Sequence, residues 1–409
     1  MHAPAMERER LVVIGAGMAG LRLLEELKAA CPGRYNVTVV GAEPEPAYNR
    51  VLLSSLLAGE AADEDIRLRD RAWYGANGYR LFTGVAAQAI DRAARRVTLK
   101  DGRVLAYDKL AFATGSEAIR LPLPGAHLAQ ALVFRDRLDA MRLKELSGPG
   151  KRAVVIGGGL LGLEAAYGLA RLGCKATVVH AADRLMNRQL DDRGAATLRR
   201  SLETKGIGFV MGASSARIAG DTHVTGLELA SGAVLPADMI VMAVGVQPNV
   251  TLAKAAGLDC NRAILVEDAM RTSDPAIFAL GECAEHRGAV YGLVAPAYEQ
   301  AKTLAAQLAG DEAASYAGSL LSTNLKVSGV PVFSAGVIEA EDGDEIVTLA
   351  DPGHGHYRKL IVRDDRLKGA ILVGEASDAL WYLDLIASRA PLGPLRDDLA
   401  FGRGFAAAA

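Results

Sequence analysis

Two glycine-rich turns, separated by 142 positions from Gly15 to Gly157, carry the clearest chemical signal in this sequence. Each reads G-x-G-x-x-G, follows a short aliphatic run and precedes an amphipathic stretch, as expected for a strand, a turn and a helix. Such glycines let the backbone approach a pyrophosphate, and the helix N-terminus attracts its charge. Two such turns predict two bound dinucleotides, between which a hydride can pass. The residues expected at the pyrophosphates are Gly15, Gly17, Met18, Ala19 and Gly20, then Gly157, Gly159, Leu160, Leu161 and Gly162.

The residue that ends the next strand determines which ribose each turn can accept. In the first unit this residue is Glu43, whose carboxylate can accept hydrogen bonds from an adenosine ribose. In the second unit the same position holds His180, and Arg184 and Arg188 follow it. Without a carboxylate there, the repulsion that would reject a 2′-phosphate is missing, so NADPH can be accepted. The alternative is a neutral imidazole packed beside the adenine, which leaves NADH and NADPH equally open.

The elements around both turns follow the order strand, helix, strand. This order favours a right-handed crossover and a parallel sheet. We therefore expect an α/β fold with two Rossmann-like three-layer domains. The elements predicted for the two units are Leu11–Ile14, Met18–Ala30 and Val37–Val40, then Ala153–Ile156, Leu160–Leu172 and Ala176–Val179.

Proline and glycine mark the domain boundaries. We expect a first domain formed by residues 1–118 and 245–318, a second domain inserted at 119–244, and a C-terminal α+β domain at 319–409. A hairpin is predicted within Arg96–Tyr107, and a helix is predicted from Pro296 to Leu308. The C-terminal elements predicted are the strands Asn324–Val327, Val332–Val337, Arg358–Val362 and Gly369–Val373 and the helix Ala376–Ser388.

Composition excludes several classes of function. Lys and Arg total 46 against 48 Asp and Glu, so charge gives no argument for binding nucleic acid or an anionic membrane. No apolar run reaches the roughly 18 to 20 residues of a membrane span, and no signal-peptide core is seen, so we expect a cytoplasmic protein. The four cysteines stand singly, with no C-x-x-C pair, which argues against a redox disulfide or a metal centre.

Taken together, the motifs resemble the two-dinucleotide flavoprotein oxidoreductases of the pyridine nucleotide–disulfide superfamily, which have a glutathione-reductase-like arrangement. Within it, the chain is most similar to the flavin portion of NAD(P)H nitrite reductase large subunits and to the electron-transfer subunit of assimilatory nitrate reductase. The superfamily resemblance is carried by the two turns with Glu43 and Glu164, Tyr48–Arg50, Ala113–Gly115, Val244–Asn249 and Ala279–Cys283. The closer one is carried by Ala47–Ser55, Gly158–Ala166, Arg188–Asp191 and Gly292–Pro296.

This resemblance implies FAD in the first unit and NADH or NADPH in the second. It implies that Arg50 contacts the FAD pyrophosphate and that Glu282 replaces the usual Asp at the ribitol. The helix near Pro296 would direct its N-terminus at the flavin C2 carbonyl. Glu164 would lie near the nicotinamide and is the best candidate for a catalytic residue. The remaining cofactor contacts that it implies are Ser55, Ala113, Thr114, Gly115, Gly245 and Gly281.

Two departures from the superfamily pattern affect the expected chemistry. Many ferredoxin-reductase relatives have a Lys in place of Ser55, paired with the Glu that matches Glu164, so a Lys–Glu pair is missing here. Peroxide- and oxygen-reducing relatives have a reactive Cys near this stretch, where this chain has Ser54 and Ser55. We therefore expect no cysteine-based second half-reaction.

The function that we expect is transfer of electrons from NAD(P)H through FAD to a separate redox protein. The preferred acceptor is the catalytic subunit of a nitrate or nitrite reductase. A ferredoxin or rubredoxin reductase of another pathway is the alternative, and a slow-turnover flavoprotein that signals by redox-dependent assembly is a third reading. Full-length nitrite reductase subunits continue into iron–sulfur and sirohaem regions, so we expect no nitrite reduction by this chain alone. The C-terminal domain would cover the flavin and contact a partner or a second copy in a homodimer.

Overall fold

The computed structural model describes residues 8–406, which divide into two compact units. The first unit consists of the residues up to Leu52, Ala62–Glu117 and Val246–Ser319. The second consists of Leu53–Ala61, Ala118–Gly245 and the residues from Leu320 onward. The chain therefore leaves the first unit three times: for a short segment, for a long inserted segment, and finally for the C-terminal residues.

A five-stranded parallel sheet forms the centre of the first unit. Its middle strand, Glu9–Ile14, runs into the first glycine turn and the helix Met18–Ala30. Leu11 and Val13 are fully buried because helices cover the sheet, and the helix Val294–Ala309 packs on Met18–Ala30. The strands in spatial order are Ile277–Ala279, Lys109–Phe112, Glu9–Ile14, Tyr35–Val40 and Arg80–Phe82.

Smaller elements complete the first unit. The predicted hairpin is confirmed as two strands of an antiparallel sheet. The helix predicted from Pro296 begins two residues earlier, at Val294, so that Pro296 is still in its first turn. The remaining strands are Ala87–Asp91, Arg96–Leu99, Val104–Ala106, Ser116–Ala118, Val246–Pro248, Ile264–Val266, Ala284–His286 and Ala289–Val290. The short helices are Arg50–Leu52, Asp63–Ile66, Arg71–Ala76, Thr251–Ala255 and Gly281–Cys283.

The second unit repeats the same design. Its middle strand, Arg152–Ile156, leads into the second glycine turn and the helix Leu160–Arg171. The short helix Leu53–Ala58 packs against that helix and against Arg137–Leu146. The parallel strands in spatial order are Gly208–Val210, Lys175–Val179, Arg152–Ile156, Met239–Met242 and Ala131–Val133. An antiparallel sheet of Ser215–Ala219, Gly226–Leu229 and Val234–Pro236 and the helix Asp192–Glu203 complete this part.

The C-terminal part of the second unit is an antiparallel sheet with a helix, Ala379–Ser388, packed on it. The sequence did not predict the edge strand Glu345–Asp351, whose residues are mostly exposed. The helix predicted from Ala376 to Ser388 begins three residues later than predicted, at Ala379. The strands in spatial order are Ser322–Val327, Val330–Gly336, Arg366–Val373, His356–Arg363 and Glu345–Asp351, followed in sequence by the helices Leu395–Asp398, Leu399–Phe401 and Arg403–Ala406. The predicted α/β class, with two Rossmann-like units and an α+β end, is confirmed.

Candidate functional site

The first glycine turn forms a cradle that side chains would fill. Gly15 has φ of +121°, and a Cβ there would lie 2.0 Å from the carbonyl oxygen of Ala113. A Cβ at Gly20 would lie 2.1 Å from the carbonyl oxygen of Gly15. Gly17, in contrast, has nothing within 4 Å of its Cβ position and caps the helix without a side-chain hydrogen bond. The turn is thus packed behind and open in front, which suits a pyrophosphate at the helix N-terminus.

The second turn reproduces this geometry. Gly157 has φ of +123°, and a Cβ there would lie 2.2 Å from the carbonyl oxygen of Ala243. A Cβ at Gly162 would lie 1.9 Å from the carbonyl oxygen of Gly157, and Gly159 has open space. Both units therefore have a phosphate cradle of one design.

Glu43 and Arg50 meet directly in the first unit. Arg50 donates a hydrogen bond to Oε1 of Glu43, and the Tyr48 hydroxyl donates to Oε2 over 2.6 Å. The Arg50 guanidinium also lies 5.0 Å from the centre of the Tyr48 ring. The sequence named Glu43 and Arg50 for different parts of one dinucleotide and did not name Tyr48 as a site residue. Their individual roles remain predictions.

Three segments of the first unit converge near Gly281. The Ser116 hydroxyl donates to Glu282 over 2.7 Å, and Thr114 and Asn249 exchange two hydrogen bonds. The buried Gln300 accepts a hydrogen bond from the Gly281 amide over 2.7 Å, which ties this motif to the helix that contains Pro296. A Cβ at Gly281 would lie 3.1 Å from Ala19 of the glycine turn.

The sequence missed Ser116 and Gln300 in this cluster. Gln300 could have been found because it lies one helical turn after Pro296, on the same helix face.

In the second unit, His180 packs against the glycine turn. The Gly158 amide donates to Nδ1 over 3.1 Å, and Met186 donates to the Gly158 carbonyl over 3.0 Å. A Cβ at Gly158 would lie 2.7 Å from the imidazole ring, so only glycine fits there. Burial lowers the pKa of His180 and so favours the neutral ring. Because Nδ1 accepts from the Gly158 amide, the proton of the neutral ring lies on Nε2. Among the side chains that the structure describes, Nε2 finds no hydrogen-bond partner.

The two arginines after His180 differ in their partners. Arg184 pairs with Asp192 over 3.1 Å and with Glu339 over 2.7 Å. Arg188 is exposed and makes no ion pair within the part of the chain that the structure describes. Of the two, Arg188 is therefore the one available to a ligand phosphate.

Glu164 is a buried carboxyl on the helix after the second turn. Glu164 is only 8% exposed, and this burial raises its pKa to about 7. A hydrogen bond with Ser54 partly opposes the rise in pKa. The helix Leu53–Ala58 approaches closely because Gly168 has no side chain: a Cβ there would lie 2.7 Å from Cγ of Leu57. Ser54, rather than the neighbouring Ser55, is the serine that lowers the pKa of Glu164.

Other predicted site residues have structural partners. The Gly245 carbonyl accepts a hydrogen bond from the Ile119 amide over 3.0 Å, and Gly245 has φ of +125°. All four cysteines are free, and burial raises the pKa of Cys283. No cluster of three metal-binding side chains occurs in the range 8–406. Within the same residues, no helix has the length and apolarity to span a membrane.

Two family models match this chain. The model described as pyridine nucleotide-disulphide oxidoreductase matches residues 9–304. The model described as rubredoxin NAD+ reductase C-terminal domain matches residues 322–390. Among solved structures, the covalent putidaredoxin reductase–putidaredoxin complex matches with a TM-score of 0.86 and 27% identity, over 96% of this chain and 99% of that chain.

Three curated relatives are similar over most of this chain. The nitrite reductase [NAD(P)H] of Bacillus subtilis is 43% identical over 95% of this chain and 48% of its own length. The assimilatory nitrate reductase electron transfer subunit of Bacillus subtilis is 43% identical over 93% of this chain and 49% of its own length. The probable ferredoxin reductase CtmF of Castellaniella defragrans is 35% identical over 91% of both chains. This chain thus spans about half the length of the first two relatives.

Proposed function

This chain belongs to the pyridine nucleotide-disulphide oxidoreductase family, and on that premise we propose that it carries electrons from NAD(P)H through FAD to a separate redox protein. The class predicted from the sequence, an NAD(P)H-dependent flavoprotein oxidoreductase, is confirmed by the family and its relatives. The observation that carries the proposal is the pair of glycine cradles, packed behind and open in front at Gly17 and Gly159. Two cradles suit a donor and an acceptor of one hydride.

The residues of the first unit fit FAD. Gly17 leaves room for a pyrophosphate, and the guanidinium of Arg50 supplies a cation for it. Glu43, which Tyr48 and Arg50 hold in place, offers its remaining lone pairs to ribose hydroxyls. Glu282 and Ser116 form a polar pair for the ribitol. When bound, a flavin supplies a centre that accepts a hydride and gives up electrons one at a time.

The residues of the second unit fit NAD(P)H. The open space at Gly159 accepts the pyrophosphate, and the neutral His180 takes the place of the ribose carboxylate. Arg188 is free to meet a 2′-phosphate if NADPH is the donor. Glu164 lies on the same helix as the cradle and is the titratable side chain that we assign to the nicotinamide end.

For the acceptor, we propose the catalytic component of a nitrate or nitrite reductase. The two relatives at 43% identity are a nitrite reductase [NAD(P)H] and an assimilatory nitrate reductase electron transfer subunit. A ferredoxin or rubredoxin acceptor is the second candidate. The match of residues 322–390 to a rubredoxin reductase C-terminal domain and the likeness to the putidaredoxin reductase complex favour it. We place the protein in the cytoplasm, where the NAD(P)H pool is found, and a homodimer is the assembly that we propose to test.

Steady-state turnover tests the proposal. The purified protein should contain one FAD per chain and reduce ferricyanide rapidly with NAD(P)H. It should fail to reduce nitrite, nitrate, glutathione disulfide or lipoamide by itself, since no redox thiol pair or metal centre is expected. Slow ferricyanide turnover would instead favour the hypothesis of a flavoprotein that signals by redox-dependent assembly.

Adding candidate acceptors then separates the two pathways. NAD(P)H-dependent nitrate consumption with the nitrate reductase catalytic subunit would support the first acceptor. Coupling to a ferredoxin or rubredoxin, with none to the nitrate enzyme, would support the second.

A further inference from the structure

A groove in the second unit lies between the helix Asp192–Glu203 and the C-terminal sheet. The helix packs directly on two strands of that sheet. Near the start of the helix, a Cβ at Gly194 would lie 3.3 Å from the ring of Tyr357. Near its end, a Cβ at Gly355 of the sheet would lie 3.3 Å from Oγ of Ser201. The groove is therefore set by direct packing of the two elements.

The helix supplies two arginines to one side of this groove. Arg193 and Arg200 are seven residues apart and share one face of the helix. Ala196 and Thr197 lie between them on that face and are small, which leaves space between the two guanidinium groups. Arg193 lies 5.5 Å from the centre of the Tyr357 ring, and Nε of Arg200 donates to a helix carbonyl over 3.4 Å. Neither arginine makes an ion pair within the part of the chain that the structure describes.

The sheet supplies the opposite side of the groove. Its lining residues are Ala350, Pro352, His356 and Tyr357, at the end of the edge strand and the start of its neighbour. The ring of His356 makes no hydrogen bond or ion pair among the described residues. A neutral imidazole has one N–H donor and a protonated one has two. His356 therefore adds a donor that faces the arginines from the other element.

The carboxylates around the groove already have partners. Asp191, just before the helix, accepts from the Tyr357 hydroxyl over 2.7 Å and pairs with Lys359 over 3.2 Å. The other pairs are Asp192 and Glu339 with Arg184, Glu203 with Arg199, and Asp351 with His354. The charges of Arg193 and Arg200 are therefore not neutralised locally, and the groove has a positive potential.

The size and the donors of the groove suit one anionic group. Its cavity is about 110 Å³, well below the roughly 300–1,000 Å³ of pockets that hold a whole small molecule. Guanidinium groups bind carboxylates and phosphates through paired N–H donors. A carboxylate has two oxygens in one plane, whereas a phosphate has three or four that point in different directions. Donors on both sides of the groove therefore favour a phosphate.

We propose that Arg193, Arg200 and His356 form a binding site for a phosphate group. The bound phosphate accepts hydrogen bonds from both the helix and the sheet and so links them. The proposal does not depend on dinucleotide binding, because none of the lining residues belongs to either glycine turn. Free inorganic phosphate and the phosphate of a small phosphorylated metabolite share this chemistry, and the test distinguishes them.

Calorimetric titration of the FAD-loaded protein with inorganic phosphate, at constant ionic strength in chloride buffer, measures the affinity. We expect saturable binding, and a midpoint of thermal unfolding that rises with phosphate but not with added chloride. A parallel titration with phenyl phosphate identifies the source. Tighter binding of phenyl phosphate assigns the site to a phosphorylated metabolite, and tighter binding of inorganic phosphate assigns it to the free ion.

Variants of the helix locate the site. Arg193→Gln and Arg200→Gln should each raise the Kd of phosphate about tenfold or more, as expected for loss of a charge-assisted hydrogen bond. Arg193→Lys keeps the charge and should recover part of that loss. Arg199→Gln is the matched control and should leave the Kd unchanged, because Arg199 pairs with Glu203 over 2.8 Å. The unfolding midpoint of each variant without phosphate shows that it is folded.

The absence of saturable binding of both probes would overturn the proposal. So would an equal loss of affinity in Arg193→Gln and Arg199→Gln. Phosphate binding that is lost in Arg188→Gln and kept in Arg193→Gln and Arg200→Gln would place the anion at the proposed nucleotide site. That result would overturn the groove site and leave the proposed function intact, whereas a failure to bind NAD(P)H would leave the groove site intact.

Discussion

The guanidinium of Arg50 donates a hydrogen bond to the carboxylate of Glu43, two residues that the sequence assigns to different parts of one dinucleotide. The Tyr48 hydroxyl donates to the other carboxylate oxygen, and its ring lies beneath the guanidinium. The three side chains form a preorganised group, because each fixes the position of the next. The same carboxylate can therefore be oriented by two donors and still accept hydrogen bonds from a ribose.

Replacing Arg50 tests its predicted contact with FAD. We expect Arg50→Ala to weaken FAD binding by about 1.5–3 kcal/mol, the range for a hydrogen bond to a charged group. Flavin fluorescence during titration of the apoprotein measures the affinity. Tyr48→Phe removes one donor to Glu43 and leaves Arg50 in place, so its effect should be smaller. Equal FAD affinity in Arg50→Ala and the parent protein would remove Arg50 from the site.

Local patterns predicted much of the fold. The helix Met18–Ala30 was predicted to the residue, because the glycine turn fixes its start and leucines at helical spacing continue it. The strand Glu345–Asp351 was missed, because an exposed edge strand has no buried face to give an apolar alternation.

Contacts that depend on tertiary packing could not be predicted from the sequence. Ser54 and Ser55 differ by about 100° of rotation on a helix, so the sequence alone could not show that Ser54 is the serine that influences the pKa of Glu164. The Arg50–Glu43 pair likewise depends on how the chain turns between them, and no pattern of residue types encodes that turn.

A methyl group at Gly168 should disturb the contact between two helices. Its Cβ would lie 2.7 Å from Cγ of Leu57, a fully buried side chain. We expect Gly168→Ala to lower the free energy of unfolding by about 1–3 kcal/mol. The matched control is Gly75→Ala, in the helix Arg71–Ala76 with nothing within 4 Å, which should gain about 0.5–1 kcal/mol. Denaturant titrations compare the two, and equal effects would contradict the packing argument.

His180→Glu should shift the nucleotide preference toward NADH. A carboxylate at this position accepts hydrogen bonds from a ribose diol and repels a 2′-phosphate. The ratio of kcat/KM for NADH and NADPH, measured before and after the change, checks this. An unchanged ratio would mean that residue 180 is not at the ribose.

Arg188 and Arg184 offer a matched pair for the phosphate itself. If NADPH is used, Arg188→Gln should raise KM for NADPH about tenfold or more and leave NADH unaffected, as expected for loss of a charge-assisted hydrogen bond. Arg184→Gln should change the two nucleotides equally, because Arg184 is already paired with Asp192 and Glu339. A larger NADPH-specific loss in Arg184→Gln would reverse the assignment.

The stability of the protein should respond to pH through Glu164. Burial raises the pKa of this group to about 7 in the folded chain, above its ordinary value of 4.5. The folded state therefore binds more protons than the unfolded state between these values, and its stability falls as the pH rises from 4.5 to 7. At about 1.4 kcal/mol for each pKa unit, the loss is on the order of 3 kcal/mol. The glutamine in Glu164→Gln cannot ionise, so this variant should not lose stability in this pH range.

Urea unfolding at pH 5 and pH 8 measures this difference. At pH 8, Glu164→Gln should have a higher free energy of unfolding than the parent protein. At pH 5, most of this difference between the two proteins should be absent. Asp238→Asn is the control, because Arg152 lowers the pKa of Asp238 to about 2 and that carboxylate stays ionised at both values. Its effect on stability should be the same at pH 5 and pH 8. If Glu164→Gln also shows a constant effect, the carboxyl of Glu164 does not titrate in this range, and its neutral state at physiological pH is excluded.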